Sequence, residues 1–160
     1  MRRKDREITD FEQIVSIIDE CPIIHIALAD EPYPYVVTVN FAYTVEDGQV
    51  CFYIHGAKAG RKYELMQKNR KCAFFMEVDG GILALPEQKD CTTIYRSVAG
   101  NAEIEFMEGE DAFKAAEIVM GRYPETKNCP YKEAVVPNTC FARLKVVELN
   151  AKANKGKADV

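Results

Sequence analysis

Residues 51–62, CFYIHGAKAGRK, join an apolar strand to a helix through a turn that contains two glycines. The strand ends at His55, and two adjacent cations, Arg61 and Lys62, open the helix. Glycines let a backbone come close to a ligand, and the first turn of a helix offers free N–H groups and a positive dipole end. The pattern predicts a phosphate site, although an ordinary strand–turn–helix with solvated cations would have the same residues.

Extended segments lie on both sides of this turn, and apolar runs or alternation predict six of them. The predicted strands are 23–29, 35–44, 50–55, 72–78, 91–106 and 139–149, and the predicted helices are 10–20, 60–69 and 108–123. Short hairpins between strands, with helices set at the ends, favour a mainly β fold with flanking helices. Because closing the sheet removes exposed edges, we expect a small antiparallel barrel.

Local signals set several of the expected boundaries. The sequence T-D-F-E at residues 9–12 matches a capping box at the start of the first helix. Glycines and a proline within residues 79–89 predict a loop, and the long strand after it should bulge near Gly100. Residues 151–160, AKANKGKADV, are polar, so we expect one domain over residues 1–150 and then a frayed tail.

Composition indicates a globular protein and argues against several functional classes. The 160 residues are 48% hydrophobic and 29% charged, with a net charge of −4 at pH 7. A mildly acidic chain without a basic face is not expected to bind nucleic acid. The first residues, MRRKDREI, lead into polar DFEQ rather than a long apolar run, so we expect no signal peptide, no membrane partner and a cytoplasmic location.

The six cysteines point to structure rather than chemistry. No two of them form a CxxC pair, and none lies at zinc-finger spacing from a histidine, so we expect no metal site. Most lie inside apolar runs, which favours buried structural thiols over redox or metal-binding roles. A reducing compartment would also keep them from forming disulfides.

Polar side chains on two neighbouring strands suggest where a ring attached to the phosphate would lie. Alternation along the strand before the hairpin places Thr38 and Asn40 on one face. The same alternation along the return strand places Tyr53 and His55 together. The two strands would present all four side chains on one surface, unless that face is simply solvated.

Three further residues have both a binding and a structural interpretation. Arg96 and Ser97 lie in a β-favouring run, where a guanidinium beside a hydroxyl could contact a phosphate or could lie at a strand edge in water. His25 lies in an apolar strand and is predicted to be a core histidine. The sequence has no GxSxG, HExxH, P-loop or GxGxxG pattern, and no pair of carboxylates suggests acid–base catalysis.

Three stretches together resemble the FMN-binding split-barrel proteins related to pyridoxamine 5′-phosphate oxidase, and among these the 5-nitroimidazole-resistance (Nim) type. They are YPYVVTVNFAY at 33–43, FYIHGAKAGRKYELMQKNRKCAF at 52–74 and YRSVAGNAEIEF at 95–106. The H-x-A-x-x-G-[RK]-K pattern in the second stretch is fairly specific to this group. The resemblance extends from Phe11 to Leu149.

The resemblance implies a six-stranded antiparallel split barrel that forms a homodimer, with two FMN molecules at the subunit interface. It also implies which residues surround the flavin. They are Val37, Thr38, Val39 and Asn40 beside the isoalloxazine, His55, Gly56 and Ala57 along the flavin edge and ribityl chain, Arg61 and Lys62 at the phosphate, and Arg96 and Ser97 as weaker candidates. In Nim-type relatives, the histidine that matches His55 is proposed to take part in the reaction.

The activity implied is FMN-dependent reduction of a small nitro-aromatic substrate such as a 5-nitroimidazole. The C-terminal AKANKGKADV has no arginine or histidine, which argues against oxidation of vitamin B6. Two alternatives stay open: a non-catalytic binder of flavin or haem, with His25 or His55 as the haem ligand, and a structural dimer with an empty site.

Overall fold

The computed structural model describes residues 3–126 and 129–156 of the chain. Within them, eight antiparallel strands form one sheet, accompanied by three α-helices and three short 3₁₀ turns. The strands are β1 (Glu7–Ile8), β2 (Ile24–Leu28), β3 (Tyr35–Val39), β4 (Phe41–Glu46), β5 (Gln49–Ala57), β6 (Lys71–Leu85), β7 (Asp90–Met107) and β8 (Thr139–Asn154). The helices are α1 (Phe11–Glu20), α2 (Arg61–Lys68) and α3 (Glu110–Arg122), and the 3₁₀ turns are Lys4–Arg6, Pro86–Gln88 and Glu133–Asn138.

The sheet is a barrel that stays open along one seam. Its strand order is β3-β2-β6-β7-β8-β5-β4, with β1 paired to β8. The two end strands, β3 and β4, are consecutive in the chain and are separated only by Asn40. Because two residues span at most ~7 Å, the end of β3 and the start of β4 must lie close together without pairing. The mainly β class and the split-barrel architecture are therefore confirmed.

Tyr123, the residue after α3, occupies the open edge of β4 at this seam. The hydroxyl of Tyr123 accepts a hydrogen bond from the N–H of Phe41 at 3.0 Å and donates one to its carbonyl at 2.9 Å. These are the backbone groups that a neighbouring strand would otherwise take, because β5 pairs with the opposite edge of β4. Tyr123 therefore helps to keep the seam from closing.

The protein has two hydrophobic layers. Inside the barrel, Phe52 makes edge-to-face contacts with Phe41 and Phe74, with ring centroids 5.6 and 5.1 Å apart. The second layer lies between the sheet and α3, whose buried residues are Ala112, Ala115, Ala116 and Val119. Small side chains let this helix lie close to the sheet, so the middle of β5 is buried on both faces.

Two arginines fix the C-terminal end of α1. Arg96, on β7, donates to both carboxylate oxygens of Glu20 at 2.5 and 2.6 Å. Arg122, at the end of α3, donates to the carboxylate of Asp19 and to three backbone carbonyls, and its guanidinium lies 4.6 Å from the ring centroid of Phe41. We call Asp19, Glu20, Arg96 and Arg122 the α1 anchor.

Several predicted boundaries were wrong near the first helix and the seam. The N-cap of α1 is Asp10, whose carboxylate accepts from the N–H of Gln13 at 2.8 Å, so the predicted capping box beginning at residue 9 does not form. An aspartate caps as well as a threonine does, and it stands one residue closer to the helix. The predicted strand 35–44 is broken at Asn40, which raises the strand count above six.

Two of the observed strands are longer than the sequence predicted. The predicted loop at 79–89 is largely sheet, because β6 continues to Leu85 through an irregularity after Asp79. Residues 151–154 of the predicted tail belong to β8, where Ala151 and Ala153 are buried, and residues 157–160 lie outside the described residues. The bulge predicted in the long strand near Gly100 lies instead on its partner: the β7–β8 register shifts between Asn101 and Ala102, and the extra residue is Val147 of β8.

The helix α3 packs on the sheet through its buried alanines, and Phe113 and Ile118 are partly buried against the same cluster. In the described part of the chain, no helix is long and apolar enough to cross a membrane.

Candidate functional site

The start of α2 meets β3 at the seam of the barrel. The guanidinium of Arg61 lies 5.0 Å above the ring of Tyr35, the first residue of β3. It also donates from Nε and Nη2 to Oδ2 of Asp30, in the β2–β3 turn, at 2.9 and 2.7 Å. These contacts bring the end of β5, the N-terminus of α2 and β3 into one corner. We call Gly56, Gly60, Arg61 and Lys62 the cationic corner.

Lys62 lies across the end of β5 rather than in solvent. The residue is half-buried, and its ammonium nitrogen lies 3.4 Å from the carbonyl oxygen of His55. A Cβ added to Gly56 would be 2.6 Å from this nitrogen, so the glycine makes room for the side chain. Burial lowers the pKa of Lys62, and the nearby thiol of Cys140 opposes that shift. Among residues 3–126 and 129–156, no carboxylate forms an ion pair with Lys62.

The N-terminus of α2 has no side-chain cap. Its N-cap is Gly60, which has φ 87° and a backbone conformation that favours glycine. The N–H groups of the first turn therefore point away from the helix without a capping side chain, next to the charge of Lys62. A helix end of this kind attracts an anion.

His55 borders the corner on the β5 side. Its side chain is exposed, and its ring stacks on Phe141 with centroids 6.1 Å apart. Burial of part of the ring, and then the charge of Lys62, lower the pKa of His55 below its ordinary value of 6.5. The imidazole is therefore mainly neutral at pH 7, with one nitrogen that donates and one that accepts.

The structure gathers most of the predicted site residues around the seam. Val37, Thr38, Val39 and Asn40 follow Tyr35 along β3, and Gly56 and Ala57 follow His55 at the end of β5. Asn40 stands opposite His55 if the β4–β5 register, which pairs Phe41 with Ile54, is continued by one residue. Thr38, Asn40, His55, Ala57 and Arg61 are all exposed, so the site of a single chain is an open surface.

The predicted common surface of Thr38, Asn40, Tyr53 and His55 was wrong in part. Tyr53 is only 4% exposed and packs beneath α3. Thr38 is on a different strand pair, and its hydroxyl lies 2.9 Å from Nδ1 of His25. The chain changes pairing partners at Asn40, so alternation before that residue does not continue after it.

His25 was also placed wrongly by the sequence. It is half-buried on the outer face of the sheet, where its ring lies 6.4 Å from that of Phe75, and it is not a core residue. The inward positions of β2 are those of Ile24, Ile26 and Leu28.

Arg96 and Ser97 lie far from the cationic corner within one chain. His55 pairs with Phe141, and Phe141 pairs with Met107 on β7, eleven residues beyond Arg96. At ~3.3 Å per residue, the separation along the strand is roughly 36 Å. Arg96 is bound to Glu20 in the α1 anchor, and Ser97 is only 3% exposed.

No signal in the sequence indicated Asp30 as a partner of the corner. It lies 31 residues before Arg61, and no local spacing connects the two. The cysteines behave largely as expected: Cys21, Cys51, Cys72 and Cys140 are buried, and burial raises the pKa of Cys72 to about 12. Within the described residues, no group of three or more His, Cys, Asp or Glu side chains could hold a metal ion.

Comparisons with known proteins agree with this fold. A search of curated proteins gave no match. Among solved structures, the chain is similar to a proposed 5-nitroimidazole antibiotic resistance protein from Bacteroides thetaiotaomicron VPI-5482, with 26% sequence identity, coverage of 92% of this chain and 86% of that one, and a TM-score of 0.79.

Two further structures share the fold at lower identity. A flavocytochrome from Azotobacter vinelandii is 21% identical, with coverage of 98% of this chain and 72% of that one and a TM-score of 0.76. An FAD and haem binding protein from Mycobacterium smegmatis is 16% identical, with coverage of 94% and 74% and a TM-score of 0.78. The family model described as pyridoxamine 5′-phosphate oxidase matches residues 10–153. Since that match takes in nearly the entire chain, the protein belongs to the pyridoxamine 5′-phosphate oxidase family.

Proposed function

We propose that this protein binds FMN at the cationic corner and acts as a flavin-dependent reductase of small nitro-aromatic compounds. The observation that carries the proposal is the half-buried Lys62, whose ammonium nitrogen lies over Gly56 beside the uncapped N-terminus of α2. A partly desolvated cation without a carboxylate partner costs free energy unless an anion joins it. A terminal phosphate would supply that anion.

The chemistry of the corner fits a phosphate in two further respects. Phosphate oxygens accept hydrogen bonds, and both Arg61 and the first-turn N–H groups of α2 are donors. A glycine at position 56 is compatible with close approach of a ligand to the end of β5. Lys62 and the helix end would therefore hold the phosphate, with Arg61 at its side.

The open edge of β3 suits the polar edge of a flavin ring. In the described residues β3 is an end strand, so the backbone groups on its outer edge have no strand partner. Carbonyl and imide groups of an isoalloxazine need donors and acceptors of this kind. We assign the ring to Val37, Thr38, Val39 and Asn40 for this reason, with His55, Gly56 and Ala57 along the ribityl side.

His55 is the candidate for proton transfer. A bound, reduced flavin would supply the reducing equivalents for the substrate, and the protein would supply orientation and protons. The neutral imidazole of His55 is exposed at the edge of the corner, where it can donate a hydrogen bond or hold a proton for the substrate. The similarity to the proposed 5-nitroimidazole resistance protein supports a nitro-aromatic substrate.

We further propose that the site is completed in a homodimer. A flavin needs walls on several sides, and five residues of this site are exposed in the single chain. Arg96 and Ser97 could reach a flavin only across a two-fold interface, because roughly 36 Å separates them from His55 in their own chain. We place the activity in the cytoplasm, since a reducing compartment suits six thiols.

A non-catalytic binder of flavin or haem is the second candidate. It is favoured by the two structures of the same fold whose descriptions name a flavocytochrome and a haem-binding protein. His25 would be the ligand to test first, because the hydrogen bond between its Nδ1 and Thr38 would orient the ring for a metal at Nε2. A Soret band after addition of haem that is lost in His25→Gln would favour this candidate.

The test of FMN binding is titration of the protein with FMN, followed by fluorescence quenching, for the wild type and the double variant Arg61→Ala, Lys62→Ala. Losing two charge-assisted contacts of about 1.5–3 kcal/mol each should weaken FMN binding about a hundredfold or more. Lys68→Ala is the matched control, since it removes a cation at the other end of the same helix. Equal affinity of the double variant and the control would contradict the proposal. Reduction of a nitroimidazole with NAD(P)H, by the wild type only, tests the activity.

A further inference from the structure

Asp30 forms an ion pair with Arg61, so the two cations of the cationic corner differ in how much of their charge is neutralised. Oδ2 of Asp30 accepts both hydrogen bonds from Arg61, and Oδ1 accepts one from the N–H of Glu31 at 2.9 Å. The Asp30 side chain is 18% exposed, whereas that of Arg61 is 59% exposed. The carboxylate is therefore the fixed partner, and the guanidinium is anchored to it over Tyr35.

The charge of the corner is consequently smaller than its sequence indicates. The guanidinium and the backbone N–H of Glu31 lower the pKa of Asp30, so this carboxylate is ionised at neutral pH. Arg61 and Asp30 together carry no net charge, and Lys62 is left as the net cation. Any dianionic phosphate that approaches Arg61 also approaches the negative charge of Asp30.

We propose that Asp30 limits the affinity of the cationic corner for phosphate. FMN is therefore bound exchangeably rather than held permanently. This inference rests on the proposed binding of FMN. Asp30 does so by charge: it partly cancels Arg61 and repels the phosphate. Its geometric role is separable, because an asparagine keeps the oxygen that accepts from Arg61, while the charge and the hydrogen bond from the N–H of Glu31 are lost.

The variant Asp30→Asn should therefore bind FMN about three- to tenfold more tightly than the wild type at low ionic strength. Riboflavin, which has no phosphate, should bind both proteins equally. Added salt should shrink the difference, because screening weakens interactions between exposed charges. Glu31→Gln is the matched control: it removes the same charge from the same turn without a contact to Arg61, and FMN affinity should change less than twofold.

A second pair of variants separates charge from positioning. Arg61→Ala leaves Asp30 uncompensated beside the phosphate, so adding Asp30→Asn to Arg61→Ala should recover part of the lost FMN affinity. If Asp30 acted only by positioning Arg61, the second substitution would have no effect once the arginine is gone.

Isothermal titration calorimetry with FMN and riboflavin tests whether the charge of Asp30 limits FMN affinity. A thermal melt first confirms that each protein is folded. Tighter FMN binding by Asp30→Asn, together with recovery in the Arg61→Ala background, supports the proposal. Unchanged or weaker FMN binding by Asp30→Asn overturns it while leaving FMN binding by the wild type intact. Absence of FMN binding in every protein, wild type included, would instead refute the proposed function and this inference with it.

Discussion

An arginine pairs with a carboxylate both in the α1 anchor and at the cationic corner. The two regions differ in the hydrogen-bond donors that they leave without a partner. In the anchor, Arg122 is only 11% exposed, and its donors are taken by Asp19 and by three carbonyls at the end of α1. At the corner, the described residues offer Lys62 one long contact, to a carbonyl, and give the α2 N-terminus no capping side chain. A cation whose donors are satisfied supports the fold, whereas one with unsatisfied donors is available to a ligand.

The largest expected effect is a loss of stability when the α1 anchor is disrupted. Arg122→Ala should lower the free energy of unfolding by about 3 kcal/mol, because it leaves buried carbonyls and the face of Phe41 without a partner. Urea denaturation measures the loss. Arg122→Lys should recover only part of it, since an ammonium lacks the planar fork of a guanidinium. A loss below about 1 kcal/mol would show that the anchor is not structural.

The next largest effect is expected on catalysis at the cationic corner. His55→Ala should retain FMN while nitro reduction falls by roughly 10²-fold or more, the usual scale of a lost general acid. Turnover per bound flavin is the quantity to measure. If His55 only shapes the turn, FMN affinity and thermal stability would fall together, and activity per flavin would stay unchanged.

A small effect is expected where the anchor meets solvent. Arg96 and Glu20 are each well exposed, with side-chain exposures of 38% and 41%. Arg96→Ala should therefore cost less than about 1 kcal/mol in urea denaturation, and should change FMN affinity less than about threefold. A larger loss of FMN affinity in a dimeric protein would instead indicate that Arg96 reaches the flavin of the partner.

The smallest effect is a pH dependence of stability from His55. Because its folded pKa lies below 6.5, the unfolded chain takes up the proton first as the pH falls. The contribution of His55 to the free energy of unfolding is complete above pH 6.5 and is lost as the pH drops, and it is small because solvent screens so exposed a ring. Urea denaturation at pH 5.5 and 7.5 should show this difference in the wild type and less of it in His55→Gln. A difference of equal size in both proteins would rule out His55 as its source.

The sequence predicted those features that depend on neighbours along the chain. Strand alternation, the hairpin between the predicted strands 35–44 and 50–55, and the glycine-rich approach to Arg61 and Lys62 are local signals, and each appears in the structure. Long-range pairings were not predictable in the same way. Nothing local reveals that the chain changes partners at Asn40.

Charge partners were missed for the same reason. Asp30 and Arg61 are 31 residues apart, and Arg96 and Glu20 are 76 residues apart, so only the fold shows that each arginine has a carboxylate. The burial of Tyr53 likewise depends on α3, which lies more than fifty residues later in the chain. The sequence could identify Arg61, Lys62 and Arg96 as candidate cations. It could not show that the two arginines have carboxylate partners and that Lys62 has none among the described residues.

The most direct test of the cationic corner compares the dissociation constants of FMN and riboflavin for the wild-type protein. The two ligands share the isoalloxazine and ribityl groups and differ in the phosphate. If Lys62, Arg61 and the N-terminus of α2 hold that phosphate, riboflavin should bind about a hundredfold more weakly than FMN at low ionic strength. Equal affinities would contradict the assignment of the corner as the phosphate site.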